Sequence, residues 1–260
     1  MGLDIYSGKL TRYYSRNWKN IVQQMSEENG HKCVMTDGCG NEITPVEDKT
    51  EIERIRECVA GWIDNLAANL DLPLAAPLWD ESTECGYYTD KPDWEAFGAL
   101  VMLQACISLD RPLPKYIENR WNAFEAPEVK EAVSKKIVNS LLSDVSLWLP
   151  IPDNAIFITS YPTGNEGSIS TVSLLKKELE ELNQRLWKAD EGTILSWRND
   201  KYYVPVKENK PNRLLGFIRK TQKTPKERYL TEDLAQCAYS MLYQAVRFAE
   251  EHQVPILLDY

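Results

Sequence analysis

VSLWLPIPDNAIFITSYPTGNEGSIST, residues 145–171, is where the chain changes character, and its reading decides the fold class. Val145–Ile151 (VSLWLPI) and Ala155–Tyr161 (AIFITSY) are short runs rich in β-branched and aromatic residues, which suit a pleated, half-buried surface. Gly164 and Gly167 bound a loop, and Ser168–Thr171 is a further short β-like run. The period then lengthens. Leu175, Leu179, Leu182 and Leu186 recur on one face of a helix predicted over 172–189. Strands therefore occur beside helices, and the question is how much of the chain is each.

Upstream, the pattern is mainly helical. Leu3–Ser7 reads as a short strand, after which Tyr14, Trp18, Ile21, Val22 and Met25 recur at helical spacing until Asn29-Gly30 stops the run. Asp37-Gly38, between short apolar runs, predicts a hairpin. Thr50 and Glu53 form a capping-box pattern before the stripe Ile52, Ile55, Val59, Trp62, Ile63, Leu66 and Leu70. Pro73 and Pro77 open an irregular segment reaching about Lys91, and Asp93 is placed to cap a helix that is apolar almost all round. Helices are predicted over 114–123 and 127–142 as well. Downstream, Glu232 and Asp233 mark the first turn of a last helix whose buried stripe includes Leu234, Ala238, Met241, Leu242, Ala245, Phe248 and Ala249. The terminal PILLDY reads as a buried strand.

Helices and strands alternate too irregularly for a doubly wound sheet. The expectation is an α+β protein: a mostly helical body with a small, mainly antiparallel sheet. Residues 1–260 are expected to form one domain, with a subdivision near Leu142 into a helical half and a mixed half as the alternative.

Composition excludes disorder. Apolar residues make up 43% and charged residues 27% of 260, with eight Trp and thirteen Tyr to bury. Ala96–Leu109, the longest apolar run, is broken by Gln104 and Ser108 and falls short of the roughly 20 residues a membrane span needs. The start MGLDIYSGKL lacks a basic then apolar secretory pattern, and the cytoplasm is the expected location. Six irregularly spaced cysteines in a chain this large predict reduced thiols.

Three further facts concern function. The net charge is −9, but residues 207–228 hold eight basic residues against Glu208 and Glu227, a local +6 that leaves −15 on the remainder. Such a body repels nucleic acid and anionic membranes and attracts basic partners, so neither nucleic acid nor membrane is expected as a partner. The basic stretch has one aromatic, Phe217, and so lacks the stacking platforms of a single-strand binder.

Catalytic and cofactor patterns are thin. With only His31 and His252, and no G-x-S-x-G, nucleophilic triads have little to work with. The loop around Gly164 and Gly167 lacks the lysine of a phosphate-binding P-loop. His31, Cys33, Asp37 and Cys39 cluster in sequence, but Cys33 and Cys39 are separated by five residues rather than at knuckle spacing, and only the distant Cys85 could complete a set. No metal or other cofactor is expected, with His31, Cys33 and Cys39 as weak zinc candidates. The acidic segment 80–95 fails the EF-hand pattern at Cys85 and Lys91. It leaves an acidic loop studded with aromatics: Trp79, Asp80, Glu81, Glu84, Tyr87, Tyr88, Asp90, Asp93 and Trp94. Carboxylates beside aromatics are what a surface gripping a cationic partner would use, although aromatics covering the core under a long loop read the same way.

MGLDIYSGKLTRYYSRNW at 1–18, YYTDKPDWEAFGAL at 87–100 and RFAEEHQVPILLDY at 247–260 resemble an uncharacterised bacterial protein family with similar ends. The resemblance implies a bacterial, cytosolic origin and brings no activity, cofactor or catalytic residue. The functional expectation is a non-catalytic protein-interaction module that binds a basic protein partner, in one form an immunity-type inhibitor of a basic toxin or effector. The alternative is a small-molecule enzyme or ligand-binding domain with an acidic pocket.

Overall fold

Side chains along β1 (Asp4–Ser7) alternate between two separate cores: Ile5 enters one and Tyr6 the other, both fully buried. The computed structural model describes residues 2–36, 39–70, 78–83, 85–206 and 227–260. β1 pairs antiparallel with β2 (Tyr88–Asp90) on one side and with β8 (Ile256–Asp259) on the other. β8 pairs with β4 (Leu147–Leu149), where Trp148 faces the first core and Leu147 and Leu149 the second. Strands buried on both faces must be covered on both faces.

The larger cover is helical. α4 (Asp93–Ser108) and α8 (Thr231–His252) form its centre, joined by α6 (Val172–Arg185), α7 (Glu191–Asp200) and α5 (Pro127–Ser134). Leu100, Val101, Leu234 and Leu242 are among its fully buried residues, each worth about 1.5–3 kcal/mol when removed from water. The other face is covered by α3 (Lys49–Asn69), through Val59, Ile63 and Leu66, and by the short α1 (Leu10–Tyr14). α2 (Ile21–Glu28) buries no residue and stands off this face. No helix among the described residues is long and apolar enough to cross a membrane.

The expected small, mainly antiparallel sheet is overturned. Of the described residues 48% are helical and 15% strand, α+β overall, and the main sheet has six strands of mixed direction in the order β2-β1-β8-β4-β6-β5. A second sheet pairs β3 (Tyr116–Glu118) with β7 (Arg228–Leu230). β4 does not turn straight back onto β5 (Ile156–Ser160). Instead β6 (Glu166–Thr171) inserts between the two, parallel to β4 and antiparallel to β5.

Other boundaries also moved. The helical run expected through Tyr14, Trp18 and Met25 is broken at Arg16, whose backbone is left-handed, and a helix restarts after Asn20, which forms a capping box with Gln23. The cap of α3 is Asp48, which accepts the Thr50 N–H, so Thr50 is already helical. Asp93 does not cap α4 but is its first residue, at φ 55°, behind Pro92. The helix predicted over 114–123 is β3 followed by a turn, and that over 127–142 ends at Ser134. α7, β2 and β7 were not anticipated. The Asp37-Gly38 turn lies outside the described residues, although Thr36 and Glu42 bridge beside it. The sheet and the larger core both draw on residues from either side of Leu142.

One buried carboxylate ties α6 to β4. Glu178 accepts the Ser140 backbone N–H at 2.6 Å and meets the Ser140 hydroxyl at 2.5 Å, and Trp148 Nε1–H donates to that same hydroxyl at 3.0 Å. Burial pushes Glu178 up from 4.5 to about 7 against the pull of the Ser140 hydrogen bonds. A folded state that holds a proton the unfolded chain has released loses stability as pH rises through that window. The contribution is whole below about pH 4.5 and is lost by about pH 7. Glu178→Gln keeps both contacts with a neutral group. It is expected to flatten the loss, by on the order of 3 kcal/mol at most, in urea midpoints taken near pH 5 and near pH 8. Equal pH dependence in both proteins would place the titration elsewhere.

Candidate functional site

Most of the acidic-aromatic loop turns inward. Trp79 is 3% exposed, meets Trp62 edge-on with centroids 6.0 Å apart, and donates from Nε1 to Glu81 at 2.8 Å. The Glu81 carboxylate, itself buried, also accepts the N–H groups of Leu10 at 3.1 Å and Thr11 at 2.9 Å, which are orphan donors at the start of α1. Tyr88 donates to Asp90 at 3.0 Å and lies within 3.2 Å of the Met241 carbonyl. Asp90, 2% exposed, is gripped by both Nε and Nη2 of Arg198 and accepts the Lys91 N–H. That pair ties β2 to α7, and Asp90 holds Arg198 above its ordinary value. Tyr87 is half-buried, stacked on Tyr6 at 5.8 Å and accepting the Lys19 N–H.

Asp80 alone of this group is an exposed carboxylate, held below its ordinary value by the Ser82 hydroxyl and N–H. Glu84 lies outside the described residues. The remaining two, Asp93 and Trp94, open onto a cleft of about 640 Å³ where α4 begins.

Three connections converge on that cleft. Trp94 meets Tyr260 edge-on at 5.1 Å, and Trp121 and Phe124 complete the aromatic lining. Glu95 holds the opposite wall, accepting the Arg120 N–H at 3.0 Å and the Tyr203 hydroxyl at 3.1 Å. Gly98 lets the turn 123–125 approach α4 closely, since a Cβ there would lie 2.8 Å from that of Ala123. Asp93, Arg120 and Asp144, all lining the cleft, have left-handed backbones with φ of 55°, 62° and 52°. Each such residue costs about 1 kcal/mol, and six other non-glycine residues among those described share the conformation outside the cleft's lining.

Charge in the cleft is one-sided. Asp93 is balanced by Lys91 at 3.1 Å, and Lys91 also reaches Asp4 at 3.6 Å. Burial, with Asp259 and Asp93 nearby, keeps Asp4 above its ordinary value despite Lys91. Asp144 is exposed and has no ion-pair partner among the described residues. A second cleft of about 520 Å³ shares Arg120, Trp121 and Asn122 with the first and adds Glu118, Glu125 and Glu128. Arg120 is the one basic residue lining either of them.

A third cleft, about 430 Å³, lies beneath α2 on the other face. Tyr13 and Trp18 stack there at 5.7 Å, and Tyr13 donates to Asp259 at 2.5 Å. Its charges are mixed and largely paired, as in Lys19–Glu27 and Lys32–Glu42. Cys33 lines it, while His31 and Cys39 are exposed. Among the described residues no three His, Cys, Asp or Glu side chains come together to hold a metal.

Trp121, Phe124, Asp144 and Tyr260 were missed from the sequence. The nearest signal was the aromatic pair in RWNAF (120–124), which the helix predicted over 114–123 absorbed. No family model, no curated protein sequence and no solved structure matches the chain.

The loop therefore separates into residues that hold the fold and residues that face solvent. Glu81→Ala strands three buried donors, and the expected loss is about 1–3 kcal/mol in thermal or urea unfolding. Asp80→Ala is expected to leave the midpoint where it is. An equal response from the two would contradict the division.

Proposed function

We propose that this is a non-catalytic binding protein that takes a basic segment of another protein along the joined clefts between Asp144 and Glu128. The observation that carries the reading is Asp144, an exposed carboxylate with no ion-pair partner among the described residues, in a cleft with the indole of Trp121; of the other acids lining the joined clefts, Asp93 is paired with Lys91 and Glu125 with Lys130. A lysine or arginine side chain entering there would lie against aromatic faces and near an unpaired carboxylate, gaining cation–π and ion-pair contacts together. The acidic remainder of the chain would speed the encounter. An immunity-type inhibitor of a basic toxin or effector is one concrete form of this function, acting by occupation of the partner's basic surface.

The alternative of a small-molecule site has its best support in the cleft under α2, where Tyr13, Tyr14 and Trp18 offer stacking surfaces beside Arg16 and Asp259. Its paired charges give it less to recognise a ligand with, and the joined clefts are the stronger candidate.

The test is fluorescence anisotropy with a labelled peptide alternating Lys and Arg with Gly, against a Glu-rich control. Saturable binding of the basic peptide alone is expected, weakening steeply as ionic strength shortens the roughly 10 Å screening length at 0.1 M salt. Trp121→Ala is expected to cost about 2 kcal/mol of binding, roughly thirtyfold. Asp144→Asn, which retains a residue tolerant of the left-handed backbone, is expected to cost about 0.2–1 kcal/mol. Equal binding of both peptides, or binding indifferent to both substitutions, would overturn the proposal.

A further inference from the structure

β5 is an outer edge of the six-stranded sheet, and its exposed side is unusually bare. Residues 154–165, which include it, carry no charged side chain, in a chain that is 27% charged. Ile158 at its middle is 78% exposed. Edge strands are commonly blunted by lysine, proline, a bulge or a covering element; β5 contains no lysine or proline, its register with β6 is unbroken, and α3 reaches its outer edge at the Ser160 end through Trp62.

The direction of its backbone groups follows from the ladder. Residues facing each other in an antiparallel pair alternate between hydrogen-bonded and non-hydrogen-bonded positions. Tyr161 N–H donates to Asn165 O at 2.7 Å, which makes that pair hydrogen-bonded. In the register Thr159↔Gly167 and Phe157↔Ile169, these residues then also face β6. Ile156, Ile158 and Ser160 turn their N–H and C=O groups outward. The Ser160 carbonyl confirms the phase, since it accepts Trp62 Nε1–H from α3 at 2.6 Å.

We propose that β5 pairs antiparallel with β5 of a second copy of this chain, making one continuous sheet across a two-fold axis at Phe157. Placed there, Ile156 of each copy faces Ile158 of the other, and the four outward N–H and C=O groups of each pair are mutually satisfied. The Trp62–Ser160 bond is left intact. The two Phe157 side chains meet at a non-hydrogen-bonded position, where cross-strand side chains lie closest. Ile158 is covered by Ile156 of the other copy. Charge argues for a second copy rather than the basic partner of the clefts. The strand has no carboxylate to attract a cation, and it is an uncharged zone where two acidic bodies can approach without facing like charges across the seam. A strand pair alone buries less than the roughly 1,200 Å² of a standard stable interface, so a dissociation constant in the micromolar range is expected.

Sedimentation velocity across about 1–200 µM tests this, a range that spans such a constant. The wild type is expected to move from monomer to dimer. Ile158→Lys, at an exposed position, and Ile158→Pro, which removes an outward N–H and none of the β5–β6 ladder, are both expected to remain monomeric with an unchanged circular dichroism spectrum. Hydrogen exchange of the wild type provides a readout independent of any variant: protection of the Ile156 and Ile158 amides is expected to rise with concentration. A wild type that is monomeric throughout, amides whose exchange ignores concentration, or a dimer that survives both substitutions would each overturn the proposal.

Discussion

Two-faced burial of β1, β8 and β4 is the constraint from which the remainder of the architecture follows. Ile5, Trp148 and Ile256 point one way and Tyr6, Leu147 and Leu257 the other, all at 6% exposure or less. A sheet with apolar residues on both sides cannot rest on a single helical layer. It needs α4 and α8 on one face and α3 on the other, and it needs strands from both ends of the described chain. Pairing β1 with β8 is therefore both the longest-range contact in the sheet and the one that places Asp4 beside Asp259. That pairing sets where charge gathers at the strand ends, and the aromatic cleft opens next to it.

Carboxylates in this protein divide by what surrounds them. Glu81 caps a helix, Asp90 is clamped by Arg198, and Glu178 is bound to Ser140; each is at most 7% exposed and saturated by donors. Removing a partner from such a group costs more than the contact contributes, because a desolvated donor or charge is left behind. Asp144 stands in the opposite situation, exposed and unpaired on a left-handed turn. The same residue types thus serve cohesion in one setting and stand open to solvent in another. Sequence proximity to tryptophan and tyrosine does not distinguish them, which is why a continuous acidic-aromatic loop resolved into mostly inward-facing residues.

What could be read from the sequence was local. The strands at 4–7, 147–149, 156–160 and 256–259 and the helices begun by Val172 and Thr231 follow from periodicity, since each buries a stripe or run its own residues define. Three kinds of feature were out of reach. β2 and β7 are three residues each and exist only because a neighbouring strand supplies the other half of their hydrogen bonds. Left-handed residues such as Arg16 and Arg120 break helical patterns without a glycine to announce them. The order of β4, β6 and β5 depends on which strand enters a gap, not on any residue's own preference. The cleft inherits all three difficulties, for Asp93 follows β2, Arg120 is a left-handed turn, and Tyr260 comes from the opposite end of the chain.

The sheet order also separates the two surfaces. The joined clefts open beside β1, β2 and β8, whereas β5 lies at the far edge, beyond β4 and β6. A two-fold axis through β5 would leave the clefts of both copies open and fix their separation through one continuous sheet. Such an arrangement would favour a partner offering two basic segments, because the second contact forms at the high effective concentration that a rigid link provides. It would also explain how a cleft whose individual charge contacts are each modest could hold a partner firmly: affinity would come from geometry shared between two sites rather than from any single ion pair.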